Sequence, residues 1–230
     1  MTDPLHGADE IAPPAVAPDG SPVLLYRRLP AGDEPRLIAA NVPAGASILE
    51  LGAGAGRVTH PLVRLGFRVT AVDESPAMLA WVHGAERIPA RIEGLALNER
   101  FDAVLLASHL VNTPDDDRRA RFLEACRRHV AERGVVLLEH HPSDWAETVA
   151  EQDASIGDIE VLLREVRREP PFVSAVAVYT VAGQTFRQPF TVRVLTADGL
   201  ADALRAAGLE PIRALSPTWT LAAPIIPGGR

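Results

Sequence analysis

The chain has a single cysteine, Cys126, among 230 residues. No disulfide framework can form within it, which points to a reducing, cytoplasmic setting. Cys126 lies in the helical pattern FLEACRRHV and reads as a small buried core residue. There is no uninterrupted apolar run long enough to cross a bilayer, so no membrane role is expected. There is no excess of positive charge. The net charge of −7 opposes sequence-independent nucleic-acid binding, which needs clustered cations. The N-terminal MTDPLHGADEIAPPAVAPDGSP lacks the basic start and apolar stretch of a signal peptide. Its Pro, Ala and Asp content predicts a disordered leader over residues 1–22. Internal repeats are absent, and so is any linker long enough to separate one domain from another. Residues 23–230 therefore read as a single domain.

The interior is well supplied. Hydrophobic residues make up 47% and charged residues 23%, an ordinary balance for a globular protein. DEPRLIAANV predicts a short helix with Asp33 as N-cap and Pro35 in its first turn. SILEL (47–51) is an apolar run before glycines, hence a buried strand. GRVTHPLVRLG (56–66) predicts a helix, and FRVTAVD (67–73) a second strand ending on an acid. SPAMLAWVHG (75–84) predicts a helix with Ser75 as cap. ARIEGLAL (90–97) reads as a weaker third strand and turn, and FDAVLLASHLV (101–111) as a strong fourth. In TPDDDRRARFLEACRRHV (113–130) Thr113 caps a helix that Pro114 opens. GVVLLEHH (134–141) is the fifth strand. Apolar strands alternating with helices predict a parallel sheet covered on both faces. After residue 142 the pattern changes. Segments 158–168, 172–182 and 184–195 read as an antiparallel meander turning at Ala182–Gly183. A helix over 196–210, capped by Thr196, and two strand pieces complete the chain.

ELGAGAGRV (50–58) sits between the first strand and its helix, where open α/β sheets bind ligands. Its glycines let backbone approach a ligand, and the helix start offers N–H groups. The dinucleotide pattern G-x-G-x-x-G/A fails here. Counted from Gly52 its third small residue falls on Arg57, and counted from Gly54 on Thr59. The spacing E-x-G-x-G-x-G, followed by VDESPAML (72–79) and FDAV (101–104), resembles the class I S-adenosylmethionine (SAM)-dependent methyltransferases.

That resemblance implies a Rossmann-like, seven-stranded α/β sheet with an antiparallel insertion after strand five. It implies SAM as cofactor and S-adenosylhomocysteine (SAH) as product. Glu50 would lie near the methionine moiety, with Gly52, Ala53, Gly54 and Gly56 along the tail. Asp73 would accept both ribose hydroxyls, beside Glu74, and Met78 would pack on the adenine. The family's acid after strand three is replaced by Leu95, which leaves adenine to backbone groups near Gly94–Ala96. Ala107 and Ser108 would line the junction of cofactor and acceptor. Tyr26 and Arg27 would touch the cofactor tail. An insertion over 157–195 is similar to those of small-molecule members, where it serves as a lid or a dimer contact. The implied partner is a small-molecule methyl acceptor, with natural-product biosynthesis as the setting and a homodimer as one assembly. The rival within the same frame is a SAM-binding protein that transfers no methyl group.

Methyl transfer needs alignment, and a base only if the acceptor keeps its proton. The candidate bases are His109, His140 and His141, at the carboxyl ends of strands four and five. Neighbours on a strand point to opposite sides, so only one of His140 and His141 should face the centre unless the strand has ended. Asn112 could orient an acceptor, and Trp145, Tyr179 and Trp219 could wall it. Asp115, Asp116 and Asp117 complement a helix start. No metal is expected.

Overall fold

The computed structural model describes residues 16–226. Most of the expected leader thus lies outside the described residues. Residues 16–22 of that segment are described. Val16 bridges Pro22, and Ala17 and Ser21 are buried.

The chain then runs α1 (Val23–Arg28), α2 (Glu34–Ala39), β1 (Ser47–Leu51), α3 (Thr59–Arg64), β2 (Arg68–Asp73), α4 (Pro76–Leu79) and β3 (Glu86–Pro89). β4 (Phe101–Leu106), α5 (Asp116–His129), β5 (Val130–Glu139) and α6 (Trp145–Thr148) follow. Then come β6 (Gln152–Ile156), β7 (Ile159–Glu169), β8 (Phe172–Val181) and β9 (Gln184–Arg193). The last described elements are α7 (Ala197–Ala206), β10 (Leu209–Ser216) and β11 (Trp219–Pro224).

Seven strands form one sheet in the order β10-β11-β5-β4-β1-β2-β3. β3, β2, β1, β4 and β5 are parallel, and β11 returns antiparallel to β5. Because side chains alternate, each strand feeds two cores. Leu49, Leu51, Val104, Leu106, Val136 and Leu138 pack with Phe122 and Leu123 of α5 and Leu204 of α7. Ile48, Ala103, Leu105 and Leu137 pack with Ile38 of α2 and Leu62 of α3 on the opposite face. The same parity puts Glu50, Ala107 and Glu139 on the face of α2 and α3. Five parallel strands, opened at their carboxyl ends, therefore present two buried acids to one pair of short helices.

The expected antiparallel segment is a separate four-stranded sheet, β6-β7-β8-β9. It begins at Gln152, with an edge strand that is exposed throughout. One face of this sheet covers α1. Leu25 packs with Ile159 and Val181, and Tyr26 and Leu29 with Tyr179 and Phe186. Farther along, Ala146 and Val149 pack with Val173 and Val194.

Several local expectations are corrected. The third strand is Glu86–Pro89, and Ile92–Gly94 is a short 3-10 turn. β4 stops at Leu106, because Ser108 and His109 both turn left-handed. Thr113 does not cap α5. The Asp115 carboxylate does, accepting from the Arg118 N–H at 3.0 Å. Asp33 makes no side-chain cap on α2. Ser75 and Thr196 do cap α4 and α7, accepting from the N–H groups of Met78 and Gly199.

Candidate active site

The glycine loop is pinned to the end of β2. The N–H groups of Gly52 and Ala53 both donate to the Val72 carbonyl, at 2.8 and 2.9 Å. The Gly54 N–H donates to the Asp73 carboxylate at 2.8 Å. The loop amides expected to be free are thus largely engaged, so the loop offers close approach rather than a row of donors. The closeness is real. At Gly52, φ is +75°, and an added Cβ would stand 2.6 Å from Leu110 Cδ1. The left-handed φ favours glycine there, and a Cβ would have to push the Leu110 tip aside.

Asp73 also accepts from the Ser75 N–H at 2.8 Å. Burial raises its pKa, against the pull of these two N–H groups. Each carboxylate oxygen keeps acceptor capacity for one more donor. Glu74 is half-buried, 3.8 Å from Arg91. Met78 is buried among Ala17, Val23 and Ala55, under Tyr26. Tyr26 itself lies over Gly54, its ring 3.9 Å from where a Cβ would stand. Arg27 places its guanidinium 3.1 Å from the centre of the Trp81 ring. Gly94 is exposed, while the Leu95 side chain is buried in the core. The Leu95 backbone N–H is engaged, while its carbonyl keeps one lone pair. Its N–H donates to the Ile92 carbonyl, and its own carbonyl accepts from Arg128 at 2.7 Å. A backbone contact from Leu95 would therefore come from its carbonyl.

Glu50 is fully enclosed and accepts from the Thr59 hydroxyl at 2.6 Å. Burial pushes its pKa up to about 7, against that hydroxyl and the Arg57 charge. The Arg57 guanidinium pairs with Glu34 at the start of α2. Its charge also reaches Glu139 and His109. Arg57 is thus a cation shared by three carboxylates, Glu34, Glu50 and Glu139.

Ser108 and His109 have φ of 55° and 57°. Two consecutive non-glycine residues in that region are costly, and such strain gathers at functional sites. The Ser108 N–H donates to Glu139 Oε2 at 2.6 Å, which holds the turn. His109 Nε2 then lies 3.9 Å from Glu139 Oε1. The His109 ring stacks on His141 at 4.2 Å, and His141 on Trp145 at 4.0 Å. Burial, with the nearby charges of His140 and Arg57, lowers the His109 pKa to about 4. Burial and the two neighbouring histidines lower His141 to about 3. Both rings are neutral at pH 7.

His140 stands apart from this group. β5 has ended at Glu139, and His140 turns to β11. Its Nε2 meets the Thr220 hydroxyl at 3.0 Å, and its N–H donates to the Thr218 carbonyl. Asn112 is fully buried and works as a tie. Its amide donates to the Arg193 carbonyl at 2.8 Å, and its oxygen accepts from the His141 N–H at 2.9 Å. That corrects an acceptor-binding role to one of holding the His141 loop. The aromatic wall does not assemble. Trp145 joins the histidine stack, Tyr179 faces α1, and Trp219 is in the core beside Leu137. Ala107 is buried and Ser108 exposed beside the left-handed turn.

Sequence reasoning missed Glu139, Arg57 and Glu34. The signal for Glu139 was its strand parity with Glu50. Nothing in the sequence marked the Arg57–Glu34 pair. Among the described residues no three His, Cys, Asp or Glu side chains gather as a metal cage. Among them, too, no helix is long and apolar enough to cross a membrane.

This geometry has counterparts. Residues 49–138 match the methyltransferase domain family. Over those residues the chain is similar to known methyltransferase domains. The chain is 33% identical over 105 residues to a ubiquinone biosynthesis O-methyltransferase of Xanthomonas oryzae pv. oryzae. That match spans 41% of this chain and 43% of the relative, less than half its length. The fold carries further. The CcbJ methyltransferase of Streptomyces caelestis superposes with a TM-score of 0.72 at 19% identity, over 89% of this chain and 96% of that one. SAM-bound CalS10, an amino pentose methyltransferase from Micromonospora echinaspora, gives 0.65 at 22% identity, over 83% and 88%. The seven-stranded sheet is thus the Rossmann-like sheet of these structures.

Proposed function

We propose that the chain transfers a methyl group from SAM to an N, O or C atom of a small-molecule acceptor, releasing SAH. The single observation that carries this is the pair of acids at the ends of β1 and β2, buried Glu50 and half-buried Asp73, on either side of a left-handed glycine loop. The fit is physical. Glu50 and Asp73 can accept hydrogen bonds from an ammonium and from hydroxyls. Gly52 leaves room that a Cβ would fill. When bound, SAM supplies a methyl group already activated by a positive sulfur.

The chain's own residues align and enclose. Tyr26 covers the loop, and Met78 backs it. His109, neutral at pH 7, presents a ring nitrogen that can accept a hydrogen bond from an acceptor N–H or O–H. A base depressed to about 4 is weak, so its task is orientation and uptake of a proton made acidic as the new bond forms. His141 and Trp145 give a flat apolar flank. Asn112 fixes that flank to β9. The second sheet serves as a lid. Its inner face is already occupied by α1 and α6, which favours that role over a homodimer contact. The single buried cysteine supports a cytoplasmic setting. Natural-product biosynthesis is the metabolic setting that the amino pentose enzyme suggests.

The test is SAH release, followed by mass spectrometry, across a panel of amino sugars, phenols and amines. Release with one acceptor class supports transfer. Binding of SAM with no release from any of them favours a SAM-binding protein that transfers no methyl group.

A further inference from the structure

A cleft of about 590 Å³ opens beside the glycine loop, between the end of α1, the start of α2 and the outer face of α3. That volume is in the range that holds a small molecule. Its walls carry Arg27, Arg36, Arg57, Arg64 and His60, and no Asp or Glu side chain among the described residues. The whole chain has net charge −7 and no lysine. A concave site with four arginines is therefore a local reversal of the molecule's charge. Two acids lie close behind it. Asp33 is 3.8 Å from Arg36, and both are highly exposed. Glu34 pairs with Arg57. Two positive charges remain in excess.

Those charges are available. Arg64 makes no ion pair or hydrogen bond among the described residues. Arg57 makes one hydrogen bond, through Nη1, so the rest of its fork is open. Glu34 Oε2 is buried without a hydrogen-bond partner, so the pair is one-sided. Arginine forks match carboxylate and phosphate oxygens in geometry as well as charge. The cleft adjoins the glycine loop at Ala55. Arg57 lines it, and the same guanidinium acts on Glu50, Glu139 and His109.

We propose that this cleft binds an anionic arm, phosphate or carboxylate, of the methyl acceptor. The inference rests on the reading of the adjoining centre as a methyl-transfer site. Arg36 and Arg64 draw the anion in. Arg57 fixes it against the reaction centre, so the arm orients the acceptor atom toward His109.

The test is calorimetric titration of inorganic pyrophosphate and, separately, succinate into the protein at low salt, with and without saturating SAH. Wild type is compared with the double variant Arg36→Glu/Arg64→Glu. The expected result is saturable binding of at least one anion with SAH in place. The double variant should bind it about tenfold or more weakly, because two attractions become two repulsions. Its SAH affinity and melting temperature should match wild type. Pyrophosphate alone assigns a phosphate arm, and succinate alone a carboxylate arm. Binding of neither anion overturns the proposal. Competition between anion and SAH also overturns it, because the cleft would then belong to the cofactor tail. Equal binding by the double variant does the same. A wild type that takes the anion but not SAH overturns the methyl-transfer reading instead.

Discussion

Glu50 and the two stacked histidines pull stability in opposite directions as pH changes. The Glu50 pKa is about 7 in the folded chain against 4.5 for the free group. Between those values the folded state holds more protons than the unfolded one, so this contribution falls as pH rises. His109 and His141 sit at about 4 and 3, against 6.5. There the unfolded state holds more protons, so their contribution is present above pH 6.5 and is lost as pH falls toward 4. Glu50→Gln removes the first effect alone. From pH 5 to pH 7 the variant should gain about 2 kcal/mol on wild type, read by urea unfolding. A constant difference would mean that Glu50 is ionised and well solvated. The histidines have their own readout. In NMR at about pH 5.5 the rings of His109 and His141 should both be neutral. A midpoint near 6.5 for either would place that ring in water.

At the scale of elements, close approach sets the sharpest demand. A Cβ at Gly134 would stand 2.8 Å from the Asp102 carbonyl and 2.9 Å from that of Phe101. Backbone cannot swing aside as a side-chain tip can. Gly134→Ala should therefore cost about 2 kcal/mol or more, measured by denaturant unfolding. Thr196→Ala removes the α7 cap and should cost about 1 kcal/mol in the same assay. Elements like these also show what a sequence discloses. β1, β2 and β4 were legible because a strand buried on both faces is a short apolar run. β3, Glu86–Pro89, was hidden because it is a mostly exposed edge strand carrying two charges. β6 was missed for the same reason, with no residue inside to give alternation. Glu50 stood out at a strand end beside glycines, and Asp73 as the acid that closes the second strand. The left-handed turn at Ser108–His109 did not, since no glycine announces it. It exists because Glu139, on the next strand, holds the Ser108 N–H. Likewise the meeting of Arg57 with Glu34 depends on how α2 and α3 pack, which no local pattern encodes.

At the scale of the whole molecule, the methyltransferase sheet and the second sheet are joined through α1. Tyr26 rests on the glycine loop, Arg27 on Trp81, and Arg28 reaches Asp158 at the β6–β7 turn. A ligand on the loop should therefore stabilise the chain as a unit. SAH at about a hundred times its Kd should add about 2.7 kcal/mol. For a domain of this size that is a rise of roughly 5–10 °C in Tm. The central claim is more direct than any melting curve: that Glu50, Asp73 and the glycines between them hold SAM. Titration calorimetry of SAH into wild type and Asp73→Ala decides it. The account predicts one saturable site in wild type, weakened about tenfold to a hundredfold when the charged acceptor of the ribose is lost. No heat of binding in wild type, or equal affinity in the variant, would contradict it.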